Sequence, residues 1–237
     1  MRTRRLLEEV FSNVRCLINK NFRLESLIKS NSGLHVGCGD IRLTNFINLD
    51  VRATKATDIA QNSTKLTIFP NKSFQTVFSN AFFEHLYKDQ RIPHLTDAKR
   101  TLKPNGILIY LGMPDFRIVA DSYLKRTPGI LYKKFDVNEA YRYTHGNPEQ
   151  ADGWWQEQLH KSLFDEDSLS EMVTKAGFDH FLIFNYSFRD EHLALNLGVI
   201  GFNKKPSFAL NVKWVEEFAR KYSTDVAVGS VEIIVKK

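Results

Sequence analysis

The sequence predicts an α/β fold built on a mostly parallel sheet flanked by helices, and three stretches carry that expectation. Leu34-His35-Val36-Gly37-Cys38-Gly39-Asp40 reads as a buried strand running into a glycine turn. Ile107-Leu108-Ile109-Tyr110-Leu111-Gly112 is a continuous apolar run of the kind shown by a central parallel strand covered on both faces. Phe181 to Phe188 and Leu193 to Phe202 are two strand-like runs joined by the polar Arg189-Asp190-Glu191-His192, which is the pattern of a hairpin. A chain of 237 residues suits one domain with one good core.

Residues 1–30 place Leu6, Leu7, Val10, Val14, Leu17 and Ile18 on one helical stripe, so an N-terminal helix is expected, either packed on the domain or acting as a substrate lid. Ser30-Asn31-Ser32-Gly33 breaks it before the first strand. The second strand, Phe46-Ile47-Asn48-Leu49-Asp50, begins so soon that the crossover holds at most a turn of helix, against the dozen or more residues usual for a parallel connection. Asp58-Ile59-Ala60 suits a short third strand and Gln75 to Ser79 a fourth. Leu95, Ala98 and Leu102 lie at helical spacing, with Lys103-Pro104-Asn105-Gly106 as a turn that stops the helix before the run at 107. A helix from Glu166 to Ala176 has Asp165 as its N-cap and Gly177 at its end. Beyond Pro206, the spacing of Phe208, Val212, Val215, Phe218 and Tyr222 predicts an amphipathic helix, and Val226 to Val235 a final strand or hairpin serving as an added sheet edge or a homodimer contact.

The glycine turn is a ligand cradle, because two glycines let the backbone take angles a side chain forbids and let a ligand approach closely. A dinucleotide site is disfavoured: Arg42 stands where the third glycine of that fingerprint belongs, and without a long helix a pyrophosphate loses its helix N-terminus. A ligand without phosphates fits better. Asp50, at the C-terminal end of the second strand, can accept charge-assisted hydrogen bonds from both hydroxyls of a ribose.

His35-Val36-Gly37-Cys38-Gly39 followed by Phe46-Ile47-Asn48-Leu49-Asp50 resembles the first two motifs of the class I S-adenosylmethionine-dependent methyltransferases. Ser79-Asn80-Ala81-Phe82-Phe83-Glu84-His85-Leu86 resembles that family's passage from strand four into a helix, and Lys103-Pro104-Asn105-Gly106 with the strand ending at Met113-Pro114-Asp115-Phe116 is a third match in the right order. The short crossover resembles a type 11-like branch associated with glycan and polysaccharide biosynthesis. The resemblance implies a seven-stranded, mostly parallel sheet flanked by helices with an antiparallel terminal hairpin. This chain adds a helical insertion and a C-terminal extension. The expected division is an N-terminal helix at 1–30, a cofactor-binding core at 31–116, a substrate-side insertion at 117–165, a closing helix and hairpin at 166–205, and an extension at 206–237, all within one domain. The cofactor is expected to be S-adenosylmethionine, held by Val36, Gly37, Cys38, Gly39, Asp50, Asn62 and Asn80. Where the family commonly has an acid against the adenine amino group, this chain offers only Gln61, Asn62 and Ser63, so a neutral side chain or the backbone must serve.

Methyl transfer from a sulfonium is a direct displacement, so alignment and exclusion of water matter most. An alcohol acceptor gains from a positioned base, and Asp115, His85 and His160 are the candidates. Each also has a structural reading, as a loop cap, a helix residue and a surface or core histidine. His35, within the first strand, reads as a satisfied core residue. The insertion holds Tyr123, Tyr132, Phe135, Tyr141, Tyr143, Trp154 and Trp155 beside His145 and His160, which suits either stacking on an acceptor or packing of the insertion itself. The favoured acceptor is a hydroxyl on a sugar, nucleotide sugar or oligosaccharide.

The remaining bounds are exclusions. No HExxH spacing or thiolate partner accompanies the histidines, so no tight metal site is expected, and no G-x-S-x-G elbow supports a hydrolase. The two cysteines, Cys16 and Cys38, suggest no disulfide framework and fit a reducing cytosol, so the cytoplasm is the expected location. No run approaches the roughly 20 apolar residues of a membrane span. The net charge of +6 admits an RNA or DNA methyltransferase, but the lysines are dispersed, and Asn80-Ala81-Phe82-Phe83 lacks both prolines of the motif used by base-amine methyltransferases. A fold-keeping binding module without catalysis is set against by intact Gly37, Gly39 and Asp50.

Overall fold

The structure, a computed structural model, describes residues 23–127, 135–146, 158–188, 193–207, 211–222 and 228–237. The stripe expected at 6–18 and the residues Tyr132, Trp154, Trp155, Phe208, Val226 and 189–192 lie outside them.

Eight strands form one sheet: β1 (Gly33–Val36), β2 (Phe46–Asp50), β3 (Ile59–Ala60), β4 (Phe74–Asn80), β5 (Leu102–Pro114), β6 (His180–Phe188), β7 (Asn196–Phe202) and β8 (Val228–Lys236). Their order is β3-β2-β1-β4-β5-β7-β6-β8. The first five run parallel to their neighbours, whereas β7 lies antiparallel to β5 and β6, and β8 antiparallel to β6. The expected terminal hairpin is therefore β6 and β7, and the C-terminal extension supplies the added edge as an eighth strand.

Helices cover both faces. They are α1 (23–30), α2 (Lys88–Thr101), α3 (Phe116–Lys125), α4 (Val137–His145), α5 (Glu166–Lys175) and α6 (Val212–Tyr222). The run at 107–112 reads as continuous because both faces are buried: Leu108 and Tyr110 join one core with Leu95, Ala98, Leu169 and Val173, while Ile109 and Leu111 join the other with Phe184, Ile200 and Val215. The turn expected at 103–106 is absorbed into β5. Helix α2 ends at Thr101, Leu102 is already extended, and the ladder with β4 shifts register between Phe74 and Thr76.

Between β1 and β2, residues 37–45 contain turns and no helix. Asn48 explains how so short a crossover holds. Its side-chain amide donates to the Leu43 and Phe46 carbonyls and to Asp58, and its oxygen accepts from the Leu43 N–H at 2.9 Å. His35 Nδ1 donates to the same oxygen at 3.2 Å, leaving His35 a satisfied core residue whose pKa burial lowers to about 4. Arg42 donates to the Ala56 carbonyl and pairs with Asp58 at 2.6 Å. A set of side-chain hydrogen bonds thus satisfies backbone groups that a crossover helix would satisfy internally.

The insertion's Val119, Phe135 and Tyr143 are buried in a small core shared with Leu195, with Tyr123 packed against them. Its last segment returns to the sheet. Phe164 bridges Asp115, and the Phe116 N–H donates to the Phe164 carbonyl at 2.8 Å.

Candidate active site

The C-terminal ends of β1, β2 and β4 open into a cleft of about 560 Å³, at the edge of a parallel sheet where open α/β folds bind ligands. Its floor is the glycine turn. Gly37 and Gly39 have φ of +66° and +55°, and a Cβ on Gly37 would lie 2.6 Å from the Phe82 ring. Gly37 is therefore required both by backbone angle and by space. At Gly39 the nearest atom to such a Cβ is the end of the Arg52 side chain at 3.3 Å, a neighbour that can move.

Asp50 faces the turn across the cleft. One carboxylate oxygen accepts the Gly39 N–H at 2.7 Å and the other accepts the Arg52 N–H at 2.8 Å, so the carboxylate is held in one orientation with lone pairs left over for a ligand's hydroxyls. Gly37, Cys38, Gly39, Asp50, Asn62 and Asn80 all line the cleft; Val36 does not, being fully buried in β1 with its carbonyl accepting the Ser79 hydroxyl. Asn62 spends its side-chain oxygen on the Thr64 N–H at 2.9 Å, which leaves its amide nitrogen and the local backbone for a base edge. The Cys38 thiol is buried, and burial raises its pKa to about 11.

The opposite wall comes from residues distant in sequence. A single 3-10 turn, Phe83–His85, follows β4, and the segment 159–162 lies along it. The Lys161 N–H donates to the Glu84 carbonyl at 2.9 Å, the Ser162 hydroxyl to the Leu86 carbonyl at 2.7 Å, and His85 Nδ1 to the Leu159 carbonyl at 3.0 Å. A carbonyl only accepts, so this last bond places the His85 proton on Nδ1 and leaves Nε2 with its lone pair. Burial lowers the His85 pKa to about 4, so the ring is neutral at neutral pH. The His160 ring sits 5.2 Å from it, centroid to centroid, with Nδ1 donating to the Tyr143 carbonyl at 2.8 Å, and burial lowers its pKa as well.

Of the three proposed bases, His85 lines the cleft and His160 stands beside it, but Asp115 is elsewhere. Asp115 is completely buried. One oxygen caps α3 by accepting the Arg117 and Ile118 N–H groups, and the other accepts the Asn185 amide at 2.8 Å. Its position just after β5 is as expected, but the start of α3 and strand β6 consume its carboxylate, which corrects the expectation that it meets the acceptor. Of the insertion's aromatics within the described residues, Tyr123, Phe135, Tyr141 and Tyr143 are absent from the cleft lining, and Phe135 and Tyr143 are buried together with Tyr123 packed against them, which is the packing alternative for these residues. Among the described residues, the aromatics at the cleft are Phe82 and the exposed Tyr87, with the Lys161 ammonium 5.0 Å over the Tyr87 ring. Arg52, Gln90 and Gln158 join them. Sequence reasoning missed these polar residues and Glu84; for Glu84 the one available signal was its place beside His85.

Residues 34–110 match the family model of the methyltransferase domain, the span that carries the glycine turn, Asp50, β4 and the 3-10 turn. The match supports S-adenosylmethionine-dependent methyl transfer by this domain, with S-adenosylmethionine as the cofactor. A comparison with curated proteins gave no match. Solved structures similar to it include an S-adenosylmethionine-dependent methyltransferase of Thermotoga maritima, with 18% identity, 82% of this chain and 96% of that chain covered, and a TM-score of 0.47. Another, from Archaeoglobus fulgidus, has 13% identity, covers 78% of this chain and 93% of that chain, and has a TM-score of 0.47. The 1,6-didemethyltoxoflavin-N1-methyltransferase of Burkholderia thailandensis, solved with 1,6-didemethyltoxoflavin and S-adenosylhomocysteine bound, has 14% identity, 82% and 84% coverage and a TM-score of 0.44. Among the described residues no helix is long and apolar enough to cross a membrane.

Proposed function

We propose that the protein transfers the methyl group of S-adenosylmethionine to a hydroxyl of a small polar acceptor: a sugar, a nucleotide sugar or an oligosaccharide. The supporting observation is the neutral His85 imidazole on the cleft wall, its Nδ1 proton fixed on the Leu159 carbonyl and its Nε2 lone pair available to the acceptor. With so low a pKa the ring is a weak base, so its contribution is to hold the acceptor oxygen in line with the methyl group and the sulfur, where alignment does most of the work. In this reading Asp50 holds the ribose, the glycine turn takes the cofactor against bare backbone, and Asn80, at the end of β4, borders the reacting end. Tyr87 offers a face for a sugar ring, while Lys161 and Arg52 suit a phosphate-bearing acceptor. The reading places the protein in glycan assembly, working as a cytoplasmic enzyme. The test is incubation with labelled S-adenosylmethionine against cell extract split into small-molecule, glycan, RNA and protein fractions. Label is expected in the small-molecule or glycan fraction; label confined to RNA or protein would overturn the acceptor.

A further inference from the structure

We propose that Glu84, His85 and His160 form a binding site for a divalent transition-metal ion of the zinc class, set in the wall of the methyl-transfer cleft. Each of the three offers one ligand atom, and these atoms all lie within 4.8 Å of one another. The spacing between His85 Nε2 and a Glu84 carboxylate oxygen is 3.7 Å. Bonds of about 2.0–2.1 Å in a tetrahedral shell put ligand atoms about 3.3 Å apart, so inward movements of under about 1 Å complete the site.

Two independent features point to a cation. The first is the orientation of the imidazoles. Both donate Nδ1–H to a backbone carbonyl, His85 to Leu159 and His160 to Tyr143, which leaves the lone pair on Nε2 in both rings. That second contact fixes the tautomer and ring direction of a metal-bound histidine. The second is Glu84 itself. It is 1% exposed, its Oε1 is the oxygen 3.7 Å from His85 Nε2, and among the described residues its Oε2 has no hydrogen-bond partner. A buried carboxylate oxygen without a donor costs several kcal/mol unless something else satisfies it. Two imidazoles presenting lone pairs supply no donor, whereas a cation satisfies all three groups together. The backbone also makes room. Gly146, at the end of α4, has φ of +81°, and a Cβ there would lie 3.4 Å from His160 Nε2 and 2.5 Å from the Gln158 carbonyl.

Two imidazoles and one carboxylate suit zinc, cobalt or manganese better than calcium or magnesium, which favour all-oxygen shells. Three protein ligands leave at least one position open, the arrangement of catalytic rather than structural sites. His85 belongs both to this cluster and to the cleft wall, so an acceptor hydroxyl can take that position. The bound ion would lower the pKa of the hydroxyl. Its proton leaves to solvent, the oxygen lone pair forms the bond to the methyl carbon, and the carbon–sulfur bond breaks with its electron pair going to sulfur. The products are the methyl ether and S-adenosylhomocysteine. In this use the His85 Nε2 lone pair goes to the ion, which holds the acceptor oxygen in place of the imidazole; the use rests on the proposed hydroxyl acceptor, and the metal site itself does not.

The experiment is calorimetric titration of chelator-treated full-length protein with Zn²⁺, repeated on Glu84→Gln and His160→Ala, with S-adenosylhomocysteine binding as the check that each variant is folded. One equivalent of Zn²⁺ is expected on the wild type, weakened by about 100-fold or more in both variants while S-adenosylhomocysteine affinity is unchanged. No binding to the wild type, or equal binding by folded variants, overturns the site. If a variant loses S-adenosylhomocysteine binding as well, the visible spectrum of the Co²⁺-loaded wild type decides: intense low-coordinate bands support the site, and the weak spectrum of the hydrated ion overturns it. Zn²⁺ binding without label transfer to hydroxyl compounds would remove the acceptor reading and leave the metal site standing.

Discussion

The two walls of the cleft are made by opposite means. The cofactor wall is backbone: two residues in the left-handed region, three parallel strand ends and one carboxylate, all within residues 33–80. The opposite wall is assembled from 82–90 and 158–162 by side-chain and backbone hydrogen bonds that span about 75 residues of sequence. Geometry of the first kind tolerates almost no change at a few positions. The second kind spreads its burden, and losing one bond shifts a wall rather than removing a floor.

That contrast is open to test, beginning with its strongest case. Gly37→Val should destabilise the protein by about 3 kcal/mol, combining the left-handed backbone penalty with the clash on Phe82, and should abolish cofactor binding. Thermal melting and calorimetry check both. A variant that melts near the wild type would mean the turn can adopt another path. Asp50→Ala should weaken S-adenosylhomocysteine binding by about 2 to 3 kcal/mol, read by calorimetry, because charge-assisted bonds to the ribose are lost. Asp115→Ala probes a residue outside both walls. Loss of the α3 cap and of the Asn185 bond should cost about 2 kcal/mol in chemical denaturation, while cofactor affinity of the folded protein stays unchanged. A collapse of turnover with stability intact would return Asp115 to the chemistry.

The smallest effect concerns pH. His35 and His94 lie inside the fold with pKa values lowered to about 4 by burial, against 6.5 for the free group. The unfolded chain therefore binds more protons than the folded one between these values. The stabilisation from keeping these rings neutral is complete above pH 6.5 and is lost as pH falls toward 4. His94 also has a specific reason to resist protonation, since its Nδ1 donates to the Thr64 carbonyl and its Nε2 accepts the Tyr110 hydroxyl at 2.5 Å. An NMR titration should show its midpoint near 4; a midpoint near 6.5 would show that this buried pair opens readily.

The same contrast explains what the sequence made legible. Gly37, Gly39 and Asp50 announce themselves because turn chemistry and strand ends are local, and β5 and the β6–β7 pair announce themselves through runs of apolar residues. The sequence places Asp115 after β5 but leaves its role open between a base and a loop cap, and the structure makes it a cap. Its task is fixed by Asn185, seventy positions away, and no local pattern reports such a partner. The aromatics of the insertion were equally ambiguous, since Phe135 and Tyr143 look the same in sequence whether they line a pocket or fill a core. Glu84 was hidden differently. A glutamate beside a histidine at the end of a strand is unremarkable until His160 arrives from the far side of the insertion.

Cys38 gives the cradle one more property. The cofactor is an alkylating agent, and the turn that receives it contains a sulfur atom. A thiolate there would compete with the acceptor for the methyl group and end the enzyme's life as a thioether. With its pKa raised to about 11 from the usual 9.0, and its sulfur turned toward Thr57 and the Gly39 carbonyl, the side chain keeps its proton and stays inert to the electrophile it helps to hold.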